Sequence, residues 1–221
     1  LLDTVPSELI LTDTGCGKEV RSIIEQYTEH IIDFTWCKDF AKARNAGLRQ
    51  ARGEWFLFLD DDEWFESTAE IESFFCTGEY RKYGLGGYIQ RNYLDKSGTV
   101  YSDLPVARMI RLEKGIEFIY SIHEVFNRVP GEVKMFRDYV HHYGYAYATR
   151  EEKIAHTMRN VELLLVENEK APGNMKHAVQ LAQEYNVLED WEKSRELSER
   201  TIAYAKKHPI EVEFCRDSLY C

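Results

Sequence analysis

The sequence lacks any apolar run approaching the roughly 20 residues a membrane-spanning helix needs, and its N-terminus lacks the basic-then-apolar build of a signal peptide. A soluble, cytoplasmic protein is expected, free in solution or peripheral at the inner face of the membrane. Cations are also scarce: 28 Lys and Arg stand against 38 Asp and Glu, a formal net charge of -10. That deficit excludes a general nucleic-acid binder, which captures phosphates with clustered Lys and Arg. Cysteine is sparse. Cys16, Cys37, Cys76, Cys215 and Cys221 are odd in number and include no C-x-x-C pair, so neither a zinc knuckle nor a disulfide framework is expected. What is present, 44% apolar and 30% charged residues, describes an ordinary globular chain with a packed core.

The N-terminal half alternates short apolar runs with helical periodicity. Glu8 to Thr12 reads as a strand ending at Asp13 and a Gly-rich turn, followed by a helix with Val20, Ile23, Ile24 and Tyr27 on one face. Ile31 to Phe34 is the next strand. Asp39 can cap a helix carrying Phe40, Ala43 and Leu48, and Glu54 to Leu59 is a continuous apolar strand. Such β-α-β repetition predicts a mostly parallel sheet with ligands at the carboxyl ends of its strands, where Asp13 and Asp60 to Glu63 stand. After a helix near Ser67 to Phe75, alternating segments at Leu85–Tyr93, Ala107–Leu112 and Val133–Val140 read as antiparallel additions. From Thr149 the pattern is wholly helical. Thr149 with Glu152 forms a capping box, Pro172-Gly173 ends the first helix, and two more follow with Tyr185 and Trp191 expected in their core. Ala182, Tyr185 and Ser194 match one 34-residue helix-turn-helix repeat, whose uncovered faces would suit self-association into a homo-oligomer.

Four consecutive carboxylates, Asp60-Asp61-Asp62-Glu63, follow the apolar strand. Two like charges about 4 Å apart repel by roughly 4 kcal/mol at an effective dielectric of about 20. A divalent cation, Mg²⁺ or Mn²⁺ with hard oxygen ligands, would convert that repulsion into a site; a solvated turn capping the next helix is the other reading. Two further motifs fail. Gly17-Lys18 resembles the end of a phosphate loop, but Glu19 and Thr12 stand where that loop needs a hydroxyl and a glycine. His123-Glu124 opens like a zinc-protease motif, but the residue four on from His123 is Asn127.

Three blocks in order, Asp13-Thr14-Gly15, then Trp36-x-x-Asp39-Phe40-Ala41-x-Ala43-Arg44-Asn45, then Glu54-Trp55-x-x-x-Leu59-Asp60-x-Asp62-Glu63, resemble the family 2 inverting glycosyltransferases. The resemblance continues through Arg108-Met109-x-Arg111-Leu112, Ile122-His123-Glu124 and His142-Tyr143-Gly144-Tyr145. Within the family the sequence is most similar to bacterial enzymes with a tetratricopeptide-like C-terminal region, including peptide S-glycosyltransferases. The resemblance implies an α/β GT-A fold, a Rossmann-like mostly parallel sheet with antiparallel additions, over residues 1–148, and a helical repeat-like tail over 149–221. It also implies that the sequence begins just before the family's second strand, without the first.

The implied activity is metal-dependent, inverting transfer of a sugar from a nucleoside diphosphate sugar to a peptide, protein or saccharide. On this resemblance Asp13 meets the base, Arg44 lies near the nucleotide, and Asp60 and Asp61 lie on the donor side. Asp62 and His142 hold Mn²⁺ or Mg²⁺, and Glu124 is the catalytic base with His123 beside it. Residue by residue, other roles stay open: Asp13 and Arg44 as loop contacts, Asn45 as a loop stabiliser, His123 as a ligand, a partner of Glu124 or a packed polar residue. His141 and His142 are adjacent, so only one should face the site. The sequence departs from the family at Cys16-Gly17-Lys18 and at Tyr120, a place often held by Gly. A second function class fits those departures: a degenerate nucleotide- or glycan-binding module whose helical tail recruits a peptide.

Overall fold

The computed structural model describes residues 1–208; Cys215, Cys221 and the end of the expected tail lie outside the described residues. The chain divides into two compact units. The first holds Leu1–Cys37, Ala41–Ile119 and Glu124–Ala148; the second holds Lys38–Phe40, Tyr120–His123 and the helices from Thr149 onward.

The first unit opens with β1 (Leu11–Asp13), α1 (Lys18–Ile24) and β2 (Ile31–Asp33), the two strands pairing in parallel. Helix α2 (Phe40–Leu48) buries Ala41, Ala43 and Leu48. It packs so closely on β1 that a Cβ on Gly47 would stand 3.0 Å from the Thr12 hydroxyl, and the glycine there allows the approach. Next come β3 (Trp55–Leu57), β4 (Glu63–Phe65), α3 (Ala69–Cys76), the long strands β5 (Tyr83–Tyr93) and β6 (Tyr101–Arg111), the short β7 (Phe118–Ile119) and β8 (Val125–Phe126), and β9 (Glu132–His142). The main sheet is mixed, in the order β3-β6-β5-β9-β4, with β5 and β9 parallel and the other neighbours antiparallel.

One core lies between α2 and the sheet, around Leu48, Leu85, Ile110 and Phe118; another lies under α3, around Ile71, Phe74, Tyr88, Met109 and Val140. Helix α1 contributes no buried residue, and Val20 and Ile23 of its expected apolar face are exposed. Strand β4, where the sequence pattern suggests only a turn leading into a helix, forms because Glu63 and Trp64 pair with His142 and His141 on β9. That pairing brings the acidic run and the histidines together.

The helical unit comprises α4 (Arg150–Lys170), α5 (Met175–Val187) and α6 (Trp191–Lys207). Thr149 caps α4 by accepting from the Glu152 N–H at 3.1 Å, the capping geometry expected from the sequence. Val161, Leu164 and Leu181 form the core with Tyr185 and Leu197 against it, and the Ser194 hydroxyl donates to the Ala182 carbonyl at 2.9 Å. Trp191 is not in that core. As the first residue of α6, just after the Asp190 cap, it is 62% exposed.

Candidate functional site

The acidic run divides. Asp60 and Glu63 turn toward two arginines, and Asp62 turns toward β9. Asp60 pairs with Arg44 at 2.8 Å and with Arg108 at 3.2 Å. The side chain of Glu63 is fully buried and takes Arg108 at 2.6 Å, with Gln90 donating to the same oxygen. Much of the repulsion within the run is therefore met by guanidinium groups. Burial would raise the Asp60 carboxyl, but Arg44 and Arg108 together hold it below the usual carboxylate range. For Glu63 burial prevails and pushes the carboxyl up despite Arg108, as expected of a desolvated acid.

Arg44 reaches further. Its Nε–H donates to Glu124, so one guanidinium joins Glu124 to Asp60. The side chains of Arg44 and Glu124 are only 16% and 11% exposed. Both arginines lie on the Phe58 ring, Arg44 at 4.4 Å and Arg108 at 4.7 Å from its centroid, and that ring is wedged edge-on against Phe118 at 5.1 Å. The aromatic cluster thus fixes where the charges stand. The next residue on α2 serves the scaffold: Asn45 donates to the Phe118 carbonyl at 2.9 Å and accepts from its N–H at 2.8 Å, the loop-stabilising role open to it from the sequence.

Asp62 Oδ2 stands 3.4 Å from His142 Nε2. The other ring nitrogen of His142 lies 2.5 Å from Asn92 Oδ1, an acceptor. With Asn92 Oδ1 as acceptor, a proton on Nδ1 would leave Nε2 as the nitrogen nearer Asp62, the orientation a metal-ligating histidine takes. A Cβ on Gly144 would sit 2.5 Å from His142 Nε2 and 2.6 Å from Asp62 Oδ2. The glycine keeps the space beside both donors free. Among the described residues no three His, Cys, Asp or Glu side chains come together as a group that could hold a metal ion; Asp62 and His142 offer one carboxylate oxygen and one imidazole nitrogen, of which the oxygen suits a hard ion such as Mn²⁺ or Mg²⁺. His141 points to the other face, stacked on Trp64 at 4.9 Å and bonded to Tyr93 and Glu66, each at 2.7 Å. Of the adjacent histidines only His142 meets the acidic run.

The remaining expected residues stand elsewhere. Asp61 is exposed. Asp13, at the end of β1, accepts from the N–H groups of Cys16 and Gly15 at 2.8 Å and from Arg21 at 2.9 Å. The Cys16 N–H and thiol, then Gly15 and Arg21, hold its carboxyl well below the usual range. Asp13 thus shapes its own loop. His123 belongs to the helical unit, where its carbonyl accepts from Lys176 at 3.1 Å. Desolvation, then Lys176, His177 and His156, pushes its imidazole down to about 4 from 6.5. The unfolded chain therefore binds more protons between those values, so stability is undiminished above pH 6.5 and is lost as pH falls toward 4, by up to ~3 kcal/mol. The melting temperature should fall across that window, and His123→Asn should flatten the slope; an unchanged slope would show that His123 is solvated.

Tyr120 and His123 both have left-handed backbone, φ 73° and 50°, costing of order 1–3 kcal/mol each. At Tyr120 that conformation is natural to the Gly of the resembling sequences. Here the phenol offsets the cost within the helical unit: its ring packs edge-on to His177 at 4.7 Å and its oxygen accepts from Asn174 at 3.3 Å. Arg108, Gln90, Asn92 and Gly144 received no role from the sequence. Arg108 and Arg111 both interrupt the segment from Ala107 to Leu112 and both belong to the resembling block there, which marks the pair without telling which of them meets the acidic run.

Residues 4–75 match the model of glycosyl transferase family 2. The chain is 30% identical over 120 residues to a TPR repeat-containing protein of Synechococcus elongatus, a match covering 53% of this chain and 28% of that protein. It is 39% identical over 61 residues to an uncharacterized glycosyltransferase of Haemophilus influenzae, covering 26% of this chain and 20% of that one. The chain thus matches less than a third of the length of either curated relative. Among the described residues no helix is long and apolar enough to cross a membrane.

Proposed function

We propose, from the premise that this chain is a family 2 glycosyltransferase with a tetratricopeptide-like helical tail, that it moves a sugar from a nucleoside diphosphate sugar to a peptide, protein or saccharide with inversion. The supporting observation is the approach of Asp62 and His142 across a space that Gly144 leaves free. Two residues earlier in the run, Asp60 shares Arg44 with Glu124, so one short backbone segment carries both the metal pair's carboxylate and the acid tied to the candidate base.

In this reading Asp62 and His142 would hold a divalent ion, which would supply charge to offset that gathering on the leaving diphosphate. Asp60 and Asp61 flank the donor and Asp13 shapes the loop nearest its base. Glu124 takes the proton from the acceptor as the acceptor attacks the anomeric carbon; the bond to the diphosphate oxygen breaks from the opposite side, and the nucleoside diphosphate leaves. Asn92 holds the His142 tautomer and Gln90 and Arg108 hold Glu63. The helical tail, with exposed Trp191 and Met158, suits recruitment of a peptide acceptor. One observation favours a second reading, a binding module without turnover: the Glu124 carboxylate is engaged by Arg44.

Calorimetric titration with uridine, guanosine, cytidine, adenosine and thymidine diphosphates, with and without Mn²⁺, tests the core of the proposal. Binding of one of them that requires the metal is the expected result. Sugar release or transfer from the matching donor then separates transferase from binder. Failure of every nucleotide to bind in the presence of Mn²⁺ would remove the transferase and the nucleotide-binding module, and would leave only a glycan-binding one.

A further inference from the structure

We infer that Arg44 is a donor-operated latch on Glu124: without ligand it holds the carboxylate, and an arriving diphosphate draws the guanidinium away and frees the base. The inference rests on the reading of the site given above and adds an order to it. Arg44 carries one positive charge and faces two carboxylates, with Nε–H on Glu124 and a terminal nitrogen 2.8 Å from Asp60 Oδ1. Arg108 is likewise divided, between Asp60 at 3.2 Å and Glu63 at 2.6 Å. Three acids and two arginines leave this connected set one charge negative.

Apart from an ion at Asp62 and His142, the cations that the described residues place beside Asp60, Arg44 and Arg108, are already paired, so an entering diphosphate gains a guanidinium only in competition with a resident carboxylate. Glu63 is fully buried and fixed by Gln90, which makes the Arg108 pair costly to break. Glu124 is the carboxylate that can be surrendered, because an acceptor's hydroxyl or thiol can then donate to the vacated oxygen. The Phe58 ring supplies the pivot. Arg44 lies over it at 4.4 Å, and the attraction of a cation for a ring face tolerates rotation of the guanidinium in its own plane. In this sequence of events Glu124 becomes available only when a donor is in place, which suppresses proton transfer in its absence and makes donor binding precede acceptor activation.

Competition predicts a result opposite to that of an ordinary binding residue. If Glu124 sequesters Arg44 in about nine molecules out of ten, removing its charge releases Arg44 to the donor and tightens binding about tenfold. Calorimetry with Mn²⁺ and whichever of the five nucleoside diphosphates the wild type binds should therefore show Glu124→Gln binding about tenfold more tightly than wild type. In an Arg44→Gln background the same Glu124→Gln change should alter affinity by less than about twofold. Should Arg44→Gln fail to fold, Arg44→Lys keeps the charge without the fork and should shrink the tightening. Equal or weaker binding by Glu124→Gln, or undiminished tightening without Arg44, overturns the latch and leaves the transferase reading standing. If the wild type binds none of the five, that reading falls and the latch with it.

Discussion

Glu124→Gln should lower sugar transfer by about a thousandfold, in the range found for loss of a positioned general base, while leaving nucleotide affinity undiminished. The amide is nearly isosteric with the carboxylate but cannot accept the acceptor's proton while remaining neutral. The expected pattern is a collapse of kcat with a donor KM that falls rather than rises, since the same change removes the proton acceptor and frees Arg44 for the donor. The Asn45 clamp on Phe118 and the Phe58 ring stack do not involve the Glu124 side chain, so the variant should fold normally. Steady-state kinetics with the matching donor, alongside a thermal melt, checks the point. Transfer within about threefold of wild type would remove Glu124 from the chemistry and return it to a structural ion pair with Arg44.

How much of this is legible in the sequence depends on the distance over which each determinant acts. The strand–helix alternation to Leu59 and the cap at Thr149 are local, and the structure repeats them with boundaries displaced by up to three residues. The main sheet departs from the mostly parallel expectation, three of its four neighbour pairs being antiparallel, and β4 is a second departure. Nothing within Glu63-Trp64-Phe65 specifies a strand; its pairing with Val140 to His142 does, and that pairing is non-local. The acidic run was legible as a place where charge must be met, but not the identity of what meets it. Arg108 lies 45 residues away from Glu63 and Arg44 lies 16 before Asp60, so local pattern cannot show that two of the four acids are answered by arginines. The exposure of Trp191 follows a similar logic, since helical periodicity fixes a face but not which of its positions the neighbouring described helices cover.

The resemblance to a known family supplied partners that periodicity could not, placing Asp62 with His142 and Glu124 near the donor. It carried no reason for His142 to present Nε2. That reason is Asn92, on a strand brought alongside β9 in parallel. It marked Tyr120 as a departure from glycine, but not what accompanies the left-handed backbone of a bulky residue there: His177 packs on its ring and Asn174 donates to its oxygen.

Gly144→Ala should weaken Mn²⁺ binding by on the order of 10–100-fold, the range for disturbing the immediate surroundings of metal ligands, and should lower transfer in proportion. Gly144 does not use a left-handed φ, so alanine suits the backbone and any loss is steric. The added methyl would lie 2.5 Å from His142 Nε2 and 2.6 Å from Asp62 Oδ2, far inside van der Waals contact. One of the donors must therefore turn away. Asn92 and strand pairing restrain His142, whereas Asp62 is 41% exposed and sits in a turn; Asp62 is the side chain expected to move. Titration of free Mn²⁺ by electron paramagnetic resonance reads the affinity without requiring a donor or acceptor, and Asp62→Ala should lose at least as much. If Gly144→Ala binds Mn²⁺ as tightly as wild type while Asp62→Ala does not, the glycine serves only the turn; if neither variant differs from wild type, the cation lies elsewhere and Asp62 and His142 are no more than a surface pair.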